Sequence, residues 1–393
     1  MDDDGDTPGP FHLESYAHLL QRAPVPVGTG PESDARAHDS PNAGAVIDAL
    51  IVPSVRPAEQ LGPAAQLARQ LRCQLIALYT DRFPDGLSQA LAEVQPGRAS
   101  ALALRSGAGR LLDVGSASPP DPVSSYAVDI SRKRNVGLLI GRSCGWTRIL
   151  FLDDDIRRLS ADKVGSAAAL LSQYPVVGLQ VDGFPDASVV GHARRLAGSG
   201  RQPFISGGSM LVNPQRMRGY FPPVYHEDWL FLMDHLRLGE VAIAGTVAQL
   251  PYQPFTTNTR ARLEEFGDIL ALGLLWLVHE NGNSPAGERG YWREATEPKF
   301  WRDMLQQRIT LLDDLYRRLE QSNRRHPLGS IQAAQERCNE LSPDEFVSFV
   351  ERWLDSLATW RTRVASLHRA DSVAQALAEL GLLSAVIIHD QRG

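Results

Sequence analysis

The segment Ile149 to Ile156 reads ILFLDDDI: four apolar residues, three consecutive acids, then an apolar residue. Carboxylates this close repel one another, and the repulsion is costly beside an apolar run that lowers the local dielectric. Asp153 and Asp155 take the first and third positions after what reads as a buried strand, so strand alternation carries both toward one crevice. Two acids facing one site suit Mg²⁺ or Mn²⁺, which takes one or two protein carboxylates and completes its shell with water and phosphate oxygens. The plainer alternative is an acidic turn that caps a helix beginning near Ser160, a task for which one acid suffices.

Other stretches carry chemistry too. Arg132, Lys133 and Arg134 put three cations into one helical turn upstream of the acids, compensation that bound phosphates need, although one or two of them can equally be a solvated basic face. Asn135 and Gly137 follow, and a glycine inside a helix is unfavourable unless something must come close. Tyr225-His-Glu-Asp-Trp229 precedes the helical pattern LFLMDHL, which sets Glu227 and Asp228 at a helix N-terminus. There they serve either as caps or as a base that removes a proton from a hydroxyl. In PFISGGSMLV, Gly207 and Gly208 stand between apolar runs, as a bulge or as a place where a ligand approaches the backbone.

The surrounding elements must position these groups. AVIDALIVPS, CQLIALYT, Ala99 to Leu104, Arg148 to Leu152, Val176 to Val181 and Val241 to Ala244 read as strands. Helical spacing over 58–71, 129–141 and 161–173 separates several of them, an alternation that argues for a mostly parallel sheet covered on both faces. Ligands of such sheets bind beyond the carboxyl ends of the strands, where Asp153 to Asp155 lie. Residues 1–44, rich in Asp, Pro, Gly and Ser, read as a flexible leader with one short amphipathic helix from Phe11 to Leu20, and a Gly/Ser/Pro-rich loop runs up to Pro122. The sheet-bearing domain is expected over 45–260. Residues 261–393 read as a helical region that either covers one side of the pocket or pairs two copies of the chain as a homodimer.

Composition narrows the partners. Among 393 residues, 40 Lys and Arg face 46 Asp and Glu, a formal net charge of -6 that offers no general basic field for nucleic acid or an anionic membrane surface. Cys73, Cys144 and Cys338 are widely spaced without a CxxC pair, which fits a reducing, cytoplasmic setting. The acidic start MDDDGDTPGP is unlike a secretory signal, and the longest apolar segment, Ile269 to Val278, is too short to span a bilayer, so no integral membrane segment is expected.

Taken in chain order, ALIVPSVRPAEQL, SRKRNVGLLIG, FLDDD and HEDW resemble the GT-A-type glycosyltransferases, most nearly their family 2-like members. The resemblance covers roughly residues 45 to 260. It implies an open, mostly parallel twisted α/β sheet flanked by helices, and a hexosyltransferase that moves sugar from a UDP- or GDP-linked donor to a hydroxyl acceptor with Mn²⁺ or Mg²⁺. Donor contacts would fall on Pro53, Arg56, Asp81, Arg132, Arg134, Asn135, Asp153 and Asp154, and metal ligation on Asp153 and Asp155. A third metal ligand would come from His226 or His279, with His235 and Gln253 as further choices. Asp228, or else Glu227, would take the acceptor's proton, and Gly207, Gly208 and Trp229 would line the acceptor. A sugar-nucleotide nucleotidyltransferase shares the architecture, but PSVRPAEQL lacks the Gly-rich phosphate loop it needs. A catalytically silent scaffold of the same fold is the other alternative.

Overall fold

The computed structural model describes residues 16–22, 46–94, 97–104, 119–120, 122–182, 188–199, 205–282, 287–382 and 386–388. Most of the expected leader and of the loop before Pro122 falls outside these residues. The strands are β1 (Gln21–Arg22), β2 (Ala49–Pro53), β3 (Gln74–Thr80), β4 (Ala99–Leu104), β5 (Ile149–Leu152), β6 (Ile156–Arg157), β7 (Val176–Asp182), β8 (Ile205–Val212), β9 (Val241–Gln249) and β10 (Val386–Ile388). The helices are α1 (Gly62–Leu71), α2 (Leu87–Ala92), α3 (Ser125–Ser143), α4 (Ala161–Ala169), α5 (Val189–Leu196), α6 (Glu227–Arg237), α7 (Asn258–Asn281), α8 (Glu288–Tyr291), α9 (Pro298–Gln321), α10 (Leu328–Glu340), α11 (Pro343–Ala365) and α12 (Val373–Glu379).

All ten strands join one sheet, ordered β1-β9-β7-β8-β5-β2-β3-β4-β10, with β6 paired to β9 beside that path. The pairs β2 with β3, β3 with β4, β2 with β5, β7 with β9 and β1 with β9 are parallel, whereas β8 runs antiparallel to both β5 and β7. Along β2, Ala49 and Ile51 enter one apolar core while Leu50 and Val52 enter a second core on the other face. Along β5, Ile149 and Phe151 divide from Leu150 and Leu152 in the same way. Strands buried on both faces require helices on both. The second face is covered by α1, α2 and α4, the first by α3, α5, α6 and the C-terminal helices.

Two local features bear on the site. First, α4 is capped by Ser160, whose Oγ accepts from Lys163 N at 3.3 Å, and β6 intervenes between Asp155 and that helix. The three acids therefore do not cap α4. Second, Gly137 lies where α3 crosses the sheet: a Cβ there would sit 2.7 Å from Ile51 Cγ2 and 3.0 Å from Phe151 Cε1. What approaches this glycine is the sheet.

The ends of the chain depart from the expected organisation. Residues 16–22 are seated, with Tyr16 and Leu20 buried in the first core and β1 alongside β9; within the expected helix from Phe11 to Leu20 only a single 3-10 turn, Ala17–Leu19, occurs among the described residues. The boundary near residue 260 does not divide the core, because Phe266, Leu270, Leu312 and Trp353 share one apolar cluster with Ile51 and Phe151 of the sheet. At the far end β10 returns to pair antiparallel with β4. No helix among the described residues is long and apolar enough to cross a membrane.

Candidate active site

From β2 the chain moves outward through β3 to β4, then crosses back to place β5 on the opposite side of β2. Such a reversal leaves a crevice at the carboxyl ends of the two strands, because the connections leave them toward opposite sides. Ser54, Val55 and Arg56 follow β2 there and Asp153, Asp154 and Asp155 follow β5, lining a small recess of about 80 Å³. It adjoins a cleft of about 580 Å³ that shares Arg56, Tyr126, Asp153 and Asp155 and continues past Glu227, Asp228 and Trp229 to Tyr252, Thr257, Thr259 and Arg260. That volume suits a ligand of small-molecule size.

The three acids have different neighbours. Asp153 Oδ1 pairs with Arg134 Nη2 at 3.1 Å, and its own amide donates to Gly208 O at 2.9 Å. Asp154 turns toward β2, where Ser54 Oγ donates to its Oδ2 at 2.5 Å and Arg56 Nε lies 3.3 Å from its Oδ1. Burial pushes the Asp154 carboxyl above its ordinary range, opposed by the Ser54 hydrogen bond and the Arg56 charge. Asp155 Oδ2 accepts from Arg56 Nη2 at 3.1 Å and from Gln249 Nε2 at 3.4 Å.

Arg134, on α3, is the hub of the cleft. Its Nη1 donates to Glu227 and its Nη2 to Asp153, while its buried Nε has no hydrogen-bond partner among the described residues. Burial alone would lower its pKa, but Asp153, Glu227 and Asp228 together hold the guanidinium firmly cationic. Glu227 is pushed up to about 8: burial is the largest cause, Arg134 opposes it, and Asp228 and Asp153 add to it. Three carboxylates around one guanidinium leave excess negative charge, and a proton on Glu227 relieves it.

Asp228 is held as a backbone-bound carboxylate. Its Oδ2 accepts from Gly207 N at 2.7 Å and its Oδ1 from Trp229 N at 2.9 Å, so it reaches across to β8 while α6 starts at the left-handed His226 (φ 65°). The paired glycines make this possible. A Cβ on Gly207 would strike the Arg134 guanidinium, and one on Gly208 would lie 2.6 Å from Asp153 Oδ2. The space the glycines leave is filled by the acid and guanidinium side chains, and neither glycine lines the cleft.

Several sequence candidates lie elsewhere. Asn135 spends both ends of its amide on the Phe221 backbone, at 2.8 Å each, which ties α3 to the segment before α6. Lys133 is buried, donating to Ser54 O at 2.8 Å and to Asp129 at 2.5 Å; burial lowers its pKa and Asp129 opposes the drop. It thereby anchors the end of β2. Arg132 and Asp81 line neither recess nor cleft, and Asp81 is exposed in a left-handed turn (φ 58°) after β3. Pro53 lines only the small recess.

The histidines separate in the same way. His235 is buried between Arg218 N and Glu240, and His279 hydrogen-bonds His18 at 2.8 Å, away from the cleft. His226 and Gln253 do line it. The His226 ring stacks on Trp229, with centroids 4.1 Å apart, and its Nε2 meets Asp268 of α7 at 3.0 Å. Burial would lower the His226 pKa, but the Asp268 hydrogen bond and charge hold it above the ordinary value. Asp268 is in turn gripped by Arg308 of α9 at 2.6 Å, so a buried ionic chain runs from the C-terminal helices to the cleft wall. No group of three or more His, Cys, Asp or Glu side chains suited to a metal ion occurs among the described residues. Asp153 and Asp155 line both the recess and the cleft, whereas Asp154 lines only the recess.

Sequence reasoning passed over Ser54, Tyr126, Gln249, Tyr252 and Arg260. Only Gln249, as the last residue of a strand, stood where this architecture gathers ligands; Ser54 reaches the recess and Tyr252 the cleft through loops, and Tyr126 and Arg260 reach the cleft from the first turns of α3 and α7. His192 Nε2 meets Tyr252 OH at 2.8 Å, and the Arg260 guanidinium lies 4.6 Å from the Tyr252 ring centroid, which makes this end of the cleft aromatic and polar together. No family model matches the chain, and no curated protein matches it.

Proposed function

We propose that the cleft is the active site of a metal-dependent glycosyltransferase that moves a sugar from a UDP- or GDP-linked donor to a hydroxyl acceptor. One observation carries the reading: Asp153, Asp154, Asp155 and Asp228, beside a Glu227 whose pKa burial raises, are compensated at the strand reversal mainly by Arg56 and Arg134, a charge excess suited to a divalent cation. The resemblance of FLDDD and HEDW to GT-A motifs falls on the same cleft, and a mostly parallel sheet with helices on both faces agrees with that fold. Asp153 and Asp155 would hold the cation, which supplies neutralisation of charge on the leaving diphosphate.

The chain's own residues do the rest. Arg134 Nε and the half-exposed Arg56 bind diphosphate oxygens, where negative charge develops. Asp228, fixed by two backbone N–H groups, takes the proton of the acceptor hydroxyl. The acceptor oxygen bonds to the anomeric carbon as the bond from that carbon to the diphosphate breaks, and its electron pair leaves with the diphosphate. Trp229, held by its Nε1 bond to Ile205 O at 3.0 Å, offers an aromatic face for the sugar.

The test is a donor screen with Mn²⁺ that reads release of free UDP or GDP, followed by mass spectrometry of acceptor mixtures. Nucleoside diphosphate released from one donor, even slowly by hydrolysis, is the expected result. Pyrophosphate release from nucleoside triphosphate and sugar phosphate would instead identify a nucleotidyltransferase. No turnover and no rise in Tm with Mn²⁺ plus UDP or GDP would leave a scaffold.

A further inference from the structure

We propose that Gln249 supplies a neutral oxygen ligand to the divalent cation, beside Asp155 and Asp153. The inference rests on the metal-dependent reading above and assigns a residue outside its acidic motif.

Gln249 ends β9, its backbone paired with Ile156 of β6, and Leu250 N donates to Asp155 O at 3.0 Å. The two-strand ladder thus fixes Gln249 and Asp155 side by side, before any ligand arrives. Both side chains line the cleft. Gln249 Nε2 donates to Asp155 Oδ2 at 3.4 Å, and Arg56 Nη2 reaches the same oxygen at 3.1 Å. That concentrates the available donors on Oδ2. Asp155 Oδ1 and Gln249 Oε1 are left buried with no hydrogen-bond partner among the described residues.

The orientation of the amide follows from chemistry. Reversed, it would set Oε1 against the Asp155 carboxylate, oxygen to oxygen, so the carbonyl is the end that stays unspent. Two buried acceptors in adjacent side chains, both lacking a donor, are unfavourable until something positive meets them. Asp155 is 8% exposed, and its neighbours Asp153 and Asp154 are also carboxylates, so a cation is the partner that would meet both acceptors and offset the local charge together. A carboxylate oxygen and an amide carbonyl are hard donors, with no sulfur or imidazole in the set. That favours Mg²⁺ or Mn²⁺ over Zn²⁺. Because an amide carbonyl is neutral, it adds affinity without deepening the charge excess that the metal-free protein already contains.

The test is titration of the full chain with Mn²⁺, alone and with UDP or GDP, read by calorimetry and by the electron paramagnetic resonance signal of free Mn²⁺. Gln249→Ala is expected to weaken Mn²⁺ binding about tenfold or more, Gln249→Glu to tighten it, and Asp155→Asn to abolish it. If Gln249→Ala is poorly folded, Gln249→Glu decides alone: unchanged or weaker Mn²⁺ binding by that variant overturns the assignment. Wild-type affinity in Gln249→Ala, with binding lost in Asp155→Asn, removes Gln249 from the site and leaves the glycosyltransferase reading intact. No Mn²⁺ binding by the wild-type chain under any of these conditions overturns both.

Discussion

Glu227 makes the electrostatics of the cleft measurable without a substrate. Its pKa stands at about 8 against an ordinary 4.5, chiefly through burial. A carboxyl whose pKa is raised on folding stabilises the native state fully below the ordinary value and loses that contribution as pH rises toward the raised one. Between about pH 5 and pH 8 the folded chain thus holds close to one more proton than the unfolded chain at this position, and stability falls by about 1.4 kcal/mol per pH unit on its account. Glu227→Gln keeps the shape and removes the titration. The variant should match the wild type near pH 5, then gain on it by about 1.4 kcal/mol per unit until the difference levels off above pH 8. Urea denaturation at pH 5, 6, 7, 8 and 9 measures the difference, in which the titration of His226, present in both proteins, largely cancels. Parallel curves would refute the reasoning. Parallel curves with the variant less stable by a constant amount would show that Arg134 keeps Glu227 ionised throughout, with the ion pair outweighing burial.

Gly137→Ala should destabilise by up to about 2 kcal/mol, overpacking against Ile51 and Phe151 costing about 1–3 kcal/mol and helix propensity returning about 1 kcal/mol; nucleotide affinity should hold, and a loss of affinity at unchanged stability would return this glycine to the donor site. Arg308→Met strips the buried Glu265 and Asp268 of their cation and should cost about 3–5 kcal/mol in urea denaturation; a wild-type midpoint would show the ionic chain to be energetically idle. Asp228→Asn should lower transfer by about 10²–10⁴-fold at unchanged donor Kd, and undiminished turnover would remove Asp228 from the mechanism.

Much of the scaffold was readable one residue at a time. ALIVP, QLIALYT and ILFL are apolar on both alternations, which announces strands covered on both faces, and the helical spacing of 298–321 and 343–365 is as plain in the letters as in the fold. Short pairings were not readable: Gln21–Arg22 and Val386–Ile388 become strands only because β9 and β4 present open edges, and no local pattern distinguishes residues recruited in that way. Nor does the β8 sequence reveal that it runs antiparallel between β5 and β7, since burial on both faces reads alike in either direction.

The site divides along the same line. The sequence by itself determined that acids follow a buried strand, that Glu227 and Asp228 open a helix and that three cations share a helical turn, because each is a statement about neighbours along one chain. Only the tertiary structure decided which of these groups meet. It turned Asn135 to Phe221, spent Lys133 on Ser54 and Asp129, and brought Arg134 between Asp153 and Glu227. Gln249 comes to Asp155 across 94 residues of chain. Contacts of that separation are set by strand order and by the face each helix buries, and no spacing within a motif encodes them.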